Sequence, residues 1–322
     1  MASSSPTLIF GSGTIGGERY AFKTAADVEA LLSELKQLGI DRLDVTPRHP
    51  PGHNYLAETL YGQAGAVPKG FIIDVKNLIN PQDTSGSLSA ASLRASIGGS
   101  LERLGLDKAN VFYAYAPDAE TPLREQAAAM DELHRRGLFS RLGLSNFPAE
   151  QVAEWVAIAE EEGYVRPSVY QGQYNLICRG AEASLLPLLR RHAIALVAYS
   201  PLAGGFLSGK PTSGDGAAGS RFAAGDPLGQ FFRGLYDRPQ FHAALRRMSE
   251  FLAPREIALP EAALRWLYWH SQLGEGDGII LGASKTEQVE TNTADIRKGP
   301  LPQEVVDALE EVWTSINAEH PT

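Results

Sequence analysis

A chain of 322 residues, 43% of them hydrophobic, carries enough apolar side chains for a large packed core, which excludes wholesale disorder. A net charge of −9 argues against nucleic acid or an anionic membrane surface as partner, but leaves room for an anionic cofactor held by a local pocket of backbone N–H groups. The single cysteine, Cys178, rules out an internal disulfide and a cysteine-rich metal cluster, and reads as a small apolar residue rather than a nucleophile.

No apolar run approaches the roughly 20 residues that a membrane-crossing helix needs. The opening MASSSPTLIF lacks the charged start and long apolar middle of a secretory signal, so a cytoplasmic location is expected. Strand-like and helix-like segments then alternate. Residues 7–10 form a short apolar run ending in GSGTIGG, and residues 24–38 read as a helix that stops at Gly39. A strand at 43–46 leads to a helix at 55–63, and a strand at 71–76 (FIIDVK) leads through a loop at 80–87 to a long helix at 88–104. Residues 111–116 (VFYAYA) give the fourth strand and 122–136 a helix ended by Gly137. Strands at 142–145, 169–174 and 194–199 alternate with helices at 150–162 and 182–192. Residues 209–237, rich in Gly, Ala and Pro, are the longest irregular segment, of the kind that serves as a lid or binding loop. Helices at 239–251 and 260–270 precede the eighth strand at 278–281, and helices at 286–295 and 302–317 follow it.

Eight strands, each followed by helix and with no linker dividing the series, predict one (β/α)8 TIM barrel domain over residues 1–322, with extra C-terminal helices. The rival fold, a doubly wound open sheet, needs a glycine-rich turn that runs straight into a helix. GSGTIGG is not so followed and reads as a tight turn at the barrel mouth. In such a barrel, groups at the carboxyl ends of the strands converge on one face. Asp44 stands there between Leu43 and Val45, and the loop beyond it carries His49, His53 and Tyr55; Lys76 and Tyr115 come from the next two strands. His134, His192, His242 and His270 show no ligand spacing, so no metal is expected; Trp155, Trp266 and Trp269 read as packing residues in helices.

Four motifs sharpen this reading: GLSNF at 143–147, VYQGQYN at 169–175, AYSPLAGGFLSGK at 198–210 and ILGASKTEQVETN at 280–292. Their identity and order resemble the aldo-keto reductase superfamily over nearly the whole chain, most of all its aflatoxin-aldehyde and succinic-semialdehyde reductase branch. The resemblance implies a barrel that binds NADPH extended across its carboxyl-terminal face, with no Rossmann domain, and reduces an aldehyde or ketone. Under it, Ser145 and Asn146 are expected to hold the nicotinamide carboxamide with Gln171 beside them, while Tyr199 offers an aromatic face to the ring. The turn from Ser200 through Leu202, Gly204, Gly205 and Gly209 to Lys210 would let backbone N–H groups and one ammonium meet a pyrophosphate. Ser284 and Lys285 open a helix suited to a 2′-phosphate, and Gln288 and Asn292, one turn apart, would meet the adenine.

Members of that superfamily use an Asp, a Tyr, a Lys and a His, the Tyr giving a proton to the carbonyl oxygen. Asp44 and Lys76 match by position. The family's DTAxxY reads DVTPRH here, so His49 stands where the tyrosine belongs; YLHxPD reads YAYAPD, so Tyr115 stands where the histidine belongs. One arrangement has His49 as proton donor and Tyr115 as its orienting partner, and another has the reverse. Tyr55 is a third candidate. An imidazolium can donate at neutral pH, although a neighbouring Lys76 works against the charged form. Two readings of other classes stand beside the reductase: dehydration, isomerisation or ring closure of a polyketide- or terpenoid-like molecule by acid–base catalysis, and an NADPH-binding regulatory protein without turnover. Ser220, Arg221 and Phe222, followed by FFRGLYDRPQF, resemble the family's carboxylate-binding loop. Arg233 is retained, but Leu235 stands where a second arginine is expected, which argues against small anionic substrates. Phe231, Phe232 and Tyr236 point to an apolar lid, and Tyr55, Phe232, Arg233 and Tyr236 are the candidate contacts to a bulky small-molecule carbonyl substrate. The sequence is silent on oligomeric state.

Overall fold

The computed structural model describes residues 5–213, 222 and 229–319. Parallel strands run in chain order around a closed barrel: β1 (Thr7–Gly11), β2 (Arg42–Val45), β3 (Ile72–Lys76), β4 (Ala109–Ala114), β5 (Phe139–Ser145), β6 (Pro167–Gln173), β7 (Ala195–Tyr199) and β8 (Gly278–Leu281), which bonds back to β1. The connecting helices are α1 (Ala25–Gln37), α2 (Leu56–Gln63), α3 (Ala90–Leu104), α4 (Leu123–Arg135), α5 (Ala149–Glu162) and α6 (Leu185–Arg191). After β7 come α7 (Gly229–Tyr236), α8 (Pro239–Leu252) and α9 (Leu259–Trp269), and after β8 come α10 (Thr286–Arg297) and α11 (Gln303–Glu319). This is the (β/α)8 barrel with C-terminal helices that the alternation predicts.

The strands read as apolar runs because both of their faces are covered. Val45, Val75, Phe112 and Leu142 lie side by side in register and face the helices, which return amphipathic stripes such as Val28, Leu31, Leu32 and Leu35 of α1. That helix starts on a reciprocal capping box: Asp27 N donates to Thr24 Oγ1 at 3.2 Å and Thr24 N to Asp27 Oδ2 at 2.9 Å, worth about 1 kcal/mol. Trp155 and Trp266 are fully buried as expected, whereas Trp269 is 41% exposed with its indole N–H tied to the Ile296 carbonyl.

The alternate residues of each strand fill the barrel, and they divide it. Ile9, Val111, Tyr113, Val169, Val197 and Ile280 form an apolar cluster. Beside it Arg42 donates through Nε to Asp74 at 2.8 Å, and Asn110 donates to the other Asp74 oxygen at 2.6 Å. Burial pushes the Asp74 carboxyl up, and the Arg42 guanidinium works against that shift. Gly143 makes space for this arrangement, since a Cβ there would lie 2.2 Å from Tyr113 Cδ1.

Several boundaries differ from the sequence reading. The segment 209–237 is not irregular throughout: α7 occupies its end, because Phe232 and Tyr236 sit at i,i+4 spacing and bury one stripe of a short helix. Strand β4 stops at Ala114, leaving Tyr115 in the loop, where its N–H bonds to the Asn77 side chain rather than to a strand neighbour. Helix α6 starts at Leu185, after a separate short turn at Gly180–Glu182. Among the described residues, no helix is long and apolar enough to cross a membrane.

Candidate active site

Asp44 and Lys76 meet at the carboxyl end of the barrel. Lys76 Nζ donates to Asp44 Oδ1 at 2.5 Å, and Gln171 Nε2 donates to the same oxygen at 2.8 Å. The two charges are 5% and 3% exposed, and at that burial neither could be kept without the other. Their meeting follows from period 2: Asp44 lies two residues beyond Arg42 on β2, and Lys76 two beyond Asp74 on β3.

Lys76 also lies between two phenols, its Nζ 5.3 Å from the Tyr113 ring centre and 5.9 Å from that of Tyr115. Tyr113 is fully buried inside the barrel, and burial pushes its phenol well above the ordinary range, with Asp74 adding to the shift. Tyr115 is only half-buried and is the phenol a ligand could meet. Its peptide is clamped from both sides. Tyr115 N donates to Asn77 Oδ1 at 2.8 Å, and the Tyr115 carbonyl accepts from Asn146 Nδ2 at 3.0 Å. One loop further on, the buried Asp118 carboxylate accepts from the backbone N–H groups of Gly86, Leu88, Glu120 and Thr121 and from the Thr121 hydroxyl. Burial raises the Asp118 carboxyl, but these donors outweigh it and hold the group below the usual carboxylate range.

His49 stands in the loop that follows β2. Its Nδ1 is 2.8 Å from Ser12 Oγ, in the turn that ends β1, and Ser12 Oγ also accepts from Thr46 N at 3.3 Å. His49 is thereby tied to the backbone two residues beyond Asp44. The half-buried imidazole, the ion pair, the glutamine amide and the Tyr115 phenol all belong to the ends of β1 to β6.

A second arc of polar groups follows from β5 to α10. Asn146 takes φ +63° and Ser200 φ +56°, two non-glycine residues in the left-handed region where strands end, a placement frequent at binding sites. Asn146 Oδ1 accepts the Tyr199 hydroxyl at 2.9 Å, and Asn146 Nδ2 also donates to the buried Ser145 Oγ at 3.1 Å. Burial pushes the Tyr199 phenol up, so its hydroxyl acts as a donor and its half-buried ring as an apolar wall. The short turn at Ala203–Ser208 follows, flanked by Leu202 and exposed Lys210. Gly204 has φ +68°, and a Cβ there would lie 2.4 Å from Phe232 Cδ1, so glycine lets α7 settle on this turn. At Gly205 a Cβ would meet nothing within 4 Å, which leaves open space beside the backbone. At the start of α10, Gln288 Oε1 accepts from Ser284 N at 2.7 Å and Ser284 Oγ at 2.9 Å, Lys285 is exposed, and Asn292 lies half-buried one turn on.

Other expected residues are engaged elsewhere. The Tyr55 ring stacks on the Arg103 guanidinium at 4.2 Å, beside the ion pair of Arg103 with the buried Glu58, so it is drawn to the α2–α3 groove. Phe232 and Tyr236 are 5% and 2% exposed. The Tyr236 ring stacks on Phe206 and its hydroxyl accepts from Gln173 and Asn175, so both aromatics seat α7, and Phe231 is the exposed one. Arg233 Nη1 donates to the Phe222 carbonyl at 3.3 Å. Ser220 and Arg221 lie outside the described residues. Ser12 and Asn77 escape the sequence reading as site residues, although Ser12 lies within the GSGTIGG turn and Asn77 follows Lys76. Among the described residues, no group of three or more His, Cys, Asp or Glu is arranged to hold a metal.

Comparison with known proteins places these observations in a family. The sequence profile of the Aldo/keto reductase family matches residues 7–314. Aflatoxin B1 aldehyde reductase member 2 of Mus musculus is 34% identical over 98% of this chain and 87% of its own length. The Homo sapiens protein of the same name is 35% identical over 97% of this chain and 88% of its length. Oxidoreductase sirO of Leptosphaeria maculans is 31% identical over 98% and 96%.

Proposed function

The chain belongs to the aldo/keto reductase family and is an oxidoreductase enzyme, and on that premise we propose that it uses NADPH to reduce the carbonyl group of a bulky, largely apolar aldehyde or ketone. The observation that carries the reading is the buried Asp44–Lys76 pair, bridged by Gln171 and set within 5.9 Å of the half-buried Tyr115 ring. The residues that would hold the cofactor suit an extended dinucleotide in their chemistry. Ser145, Asn146 and Gln171 offer a hydroxyl and amides beside the Tyr199 wall, the backbone at Gly205 is open, and Lys210 and Lys285 add exposed ammonium groups. Ser200, Leu202 and Gly204 shape the turn between, while Ser284, Gln288 and Asn292 line the far end. When bound, NADPH supplies the hydride.

The chain's own part is to bind the carbonyl group, to hold a proton ready at its oxygen and to shield the exchange from water. His49 and Tyr115 are the two groups for the oxygen, one giving the proton and the other orienting the carbonyl. Lys76 keeps a positive charge beside the oxygen as it becomes negative, and Asp44 fixes the ammonium in place. The relatives' printed name specifies an aldehyde for those proteins; the carbonyl class alone is carried to this chain. The alternatives of dehydration, isomerisation or cyclisation, and of cofactor binding without turnover, rest on the imidazole at position 49. The test is titration of NADPH fluorescence followed by NADPH oxidation with an aromatic aldehyde. Quenching together with aldehyde-dependent oxidation is expected; quenching with no oxidation across aldehydes and ketones would overturn the reductase reading.

A further inference from the structure

The exchanged pair leaves open which group gives the proton, and the contacts of Ser12 bear on the choice. Ser12 is fully buried, and two polar partners reach its hydroxyl oxygen: Thr46 N, at 3.3 Å, and His49 Nδ1, at 2.8 Å. The Thr46 N–H can only donate, so it takes one lone pair of Ser12 Oγ. The hydroxyl proton then needs an acceptor, because a buried O–H left without one carries the full cost of its desolvation. His49 Nδ1 is the acceptor within reach.

From this we infer that Ser12 is a positioning residue that holds His49 as the neutral imidazole with its proton on Nε2. An imidazole in that form orients and polarises a carbonyl through its Nε2–H and is a poor acid, since giving up that proton would leave an imidazolate. Tyr115 is then the acid. Its O–H bond breaks as hydride from NADPH forms the new C–H bond, the proton passes to the carbonyl oxygen, and the phenolate left beside Lys76 regains a proton from water. The phenol thus keeps the proton-giving task that the resemblance implies for the family's tyrosine, from a different position. A proton-shuttling His49 would require the opposite polarity at Ser12, with Nδ1–H donating to the hydroxyl oxygen.

The assignment rests on the reductase reading only in its second half, and the experiment separates the two. In protein labelled with 15N-histidine and free of cofactor and substrate, the His49 signals are identified by their loss in His49→Gln. Near neutral pH, Nδ1 is expected to be pyridine-like and Nε2 pyrrole-like. Ser12→Ala should mix the two forms and lower kcat by part of the roughly 10²- to 10⁴-fold that a positioned acid–base group supplies, with NADPH affinity unchanged. Ser12→Thr should restore both. A pyrrole-like Nδ1 in the unsubstituted protein overturns the role of Ser12 even if turnover is normal. The expected signals in a protein that never oxidises NADPH would keep the Ser12 assignment and end the reductase reading.

Discussion

Asn146 holds Tyr115 from one side and Tyr199 from the other, its Nδ2 donating to the Tyr115 carbonyl at 3.0 Å and its Oδ1 accepting the Tyr199 hydroxyl at 2.9 Å. The residue proposed to give the proton, through its backbone carbonyl, and the aromatic wall proposed for the nicotinamide thus share one amide. Asn146→Gly keeps the φ of +63° accessible while deleting the amide, so it tests the link without backbone strain. Both NADPH affinity and kcat should fall, the latter by up to about 100-fold if Tyr115 shifts by an ångström. Binding and single-turnover rates measured on the same variant check this, and a loss confined to binding would contradict the link.

Tyr115→Phe removes the proposed acid and should lower kcat by roughly 10²- to 10⁴-fold with little change in NADPH binding. His49→Gln retains an N–H donor and should cost less than His49→Ala. Steady-state kinetics on the three variants rank the two groups, and a His49→Ala enzyme with full turnover would remove the imidazole from the mechanism.

Breaking the buried ion pair should be worse than removing it. Lys76→Met leaves Asp44 as an uncompensated buried charge and should cost about 3–5 kcal/mol of stability, whereas Asp44→Leu combined with Lys76→Met should recover most of that loss. Activity should be absent in both. Urea titrations give the stabilities, and the order single below double is the expected outcome.

Asp118 makes loop stability depend on acid. Its folded carboxyl lies below the ordinary range, so its contribution is fully present above the unfolded value and is lost as pH falls through the folded one. Asp118→Asn should therefore be less stable than the parent by about 1–3 kcal/mol at neutral pH. The difference should shrink below about pH 4, where the unfolded carboxyl begins to protonate. Melting curves of both proteins between acid and neutral pH measure the gap.

The barrel was legible in the sequence because strand runs such as FIIDVK and VFYAYA are buried on both faces and their ends collect the polar residues. Asp44 and Lys76 could be placed by that rule, Gln171 entered through the family resemblance, and the structure joins the three in one hydrogen-bonded group. Ser12 was not legible. Its use depends on β1 and β2 lying side by side with Gly11 paired to Asp44, a contact across 37 positions between Ser12 and His49. Tyr55 shows the converse: its loop position alone made it a candidate, and what the sequence did not show is the Arg103 guanidinium on which its ring stacks. In α7, the Gly-, Ala- and Pro-rich surroundings hid a helix whose aromatic stripe is buried against Phe206 rather than held open.

The pair of Arg42 with Asp74, one layer beneath Asp44 and Lys76, has a consequence for how the site is felt from outside. Along β2 the signs run plus then minus, and along β3 minus then plus, with Asp44 opposite Asp74 in register, so two carboxylates stand side by side and each is balanced by its own cation. Paired charges largely cancel at a distance, so they add little to drawing a ligand in from solution and act mainly on an atom already seated beside them. Losing either cation would leave two neighbouring carboxylates facing each other, and the barrel would then hold a repulsion where it now holds two balanced pairs.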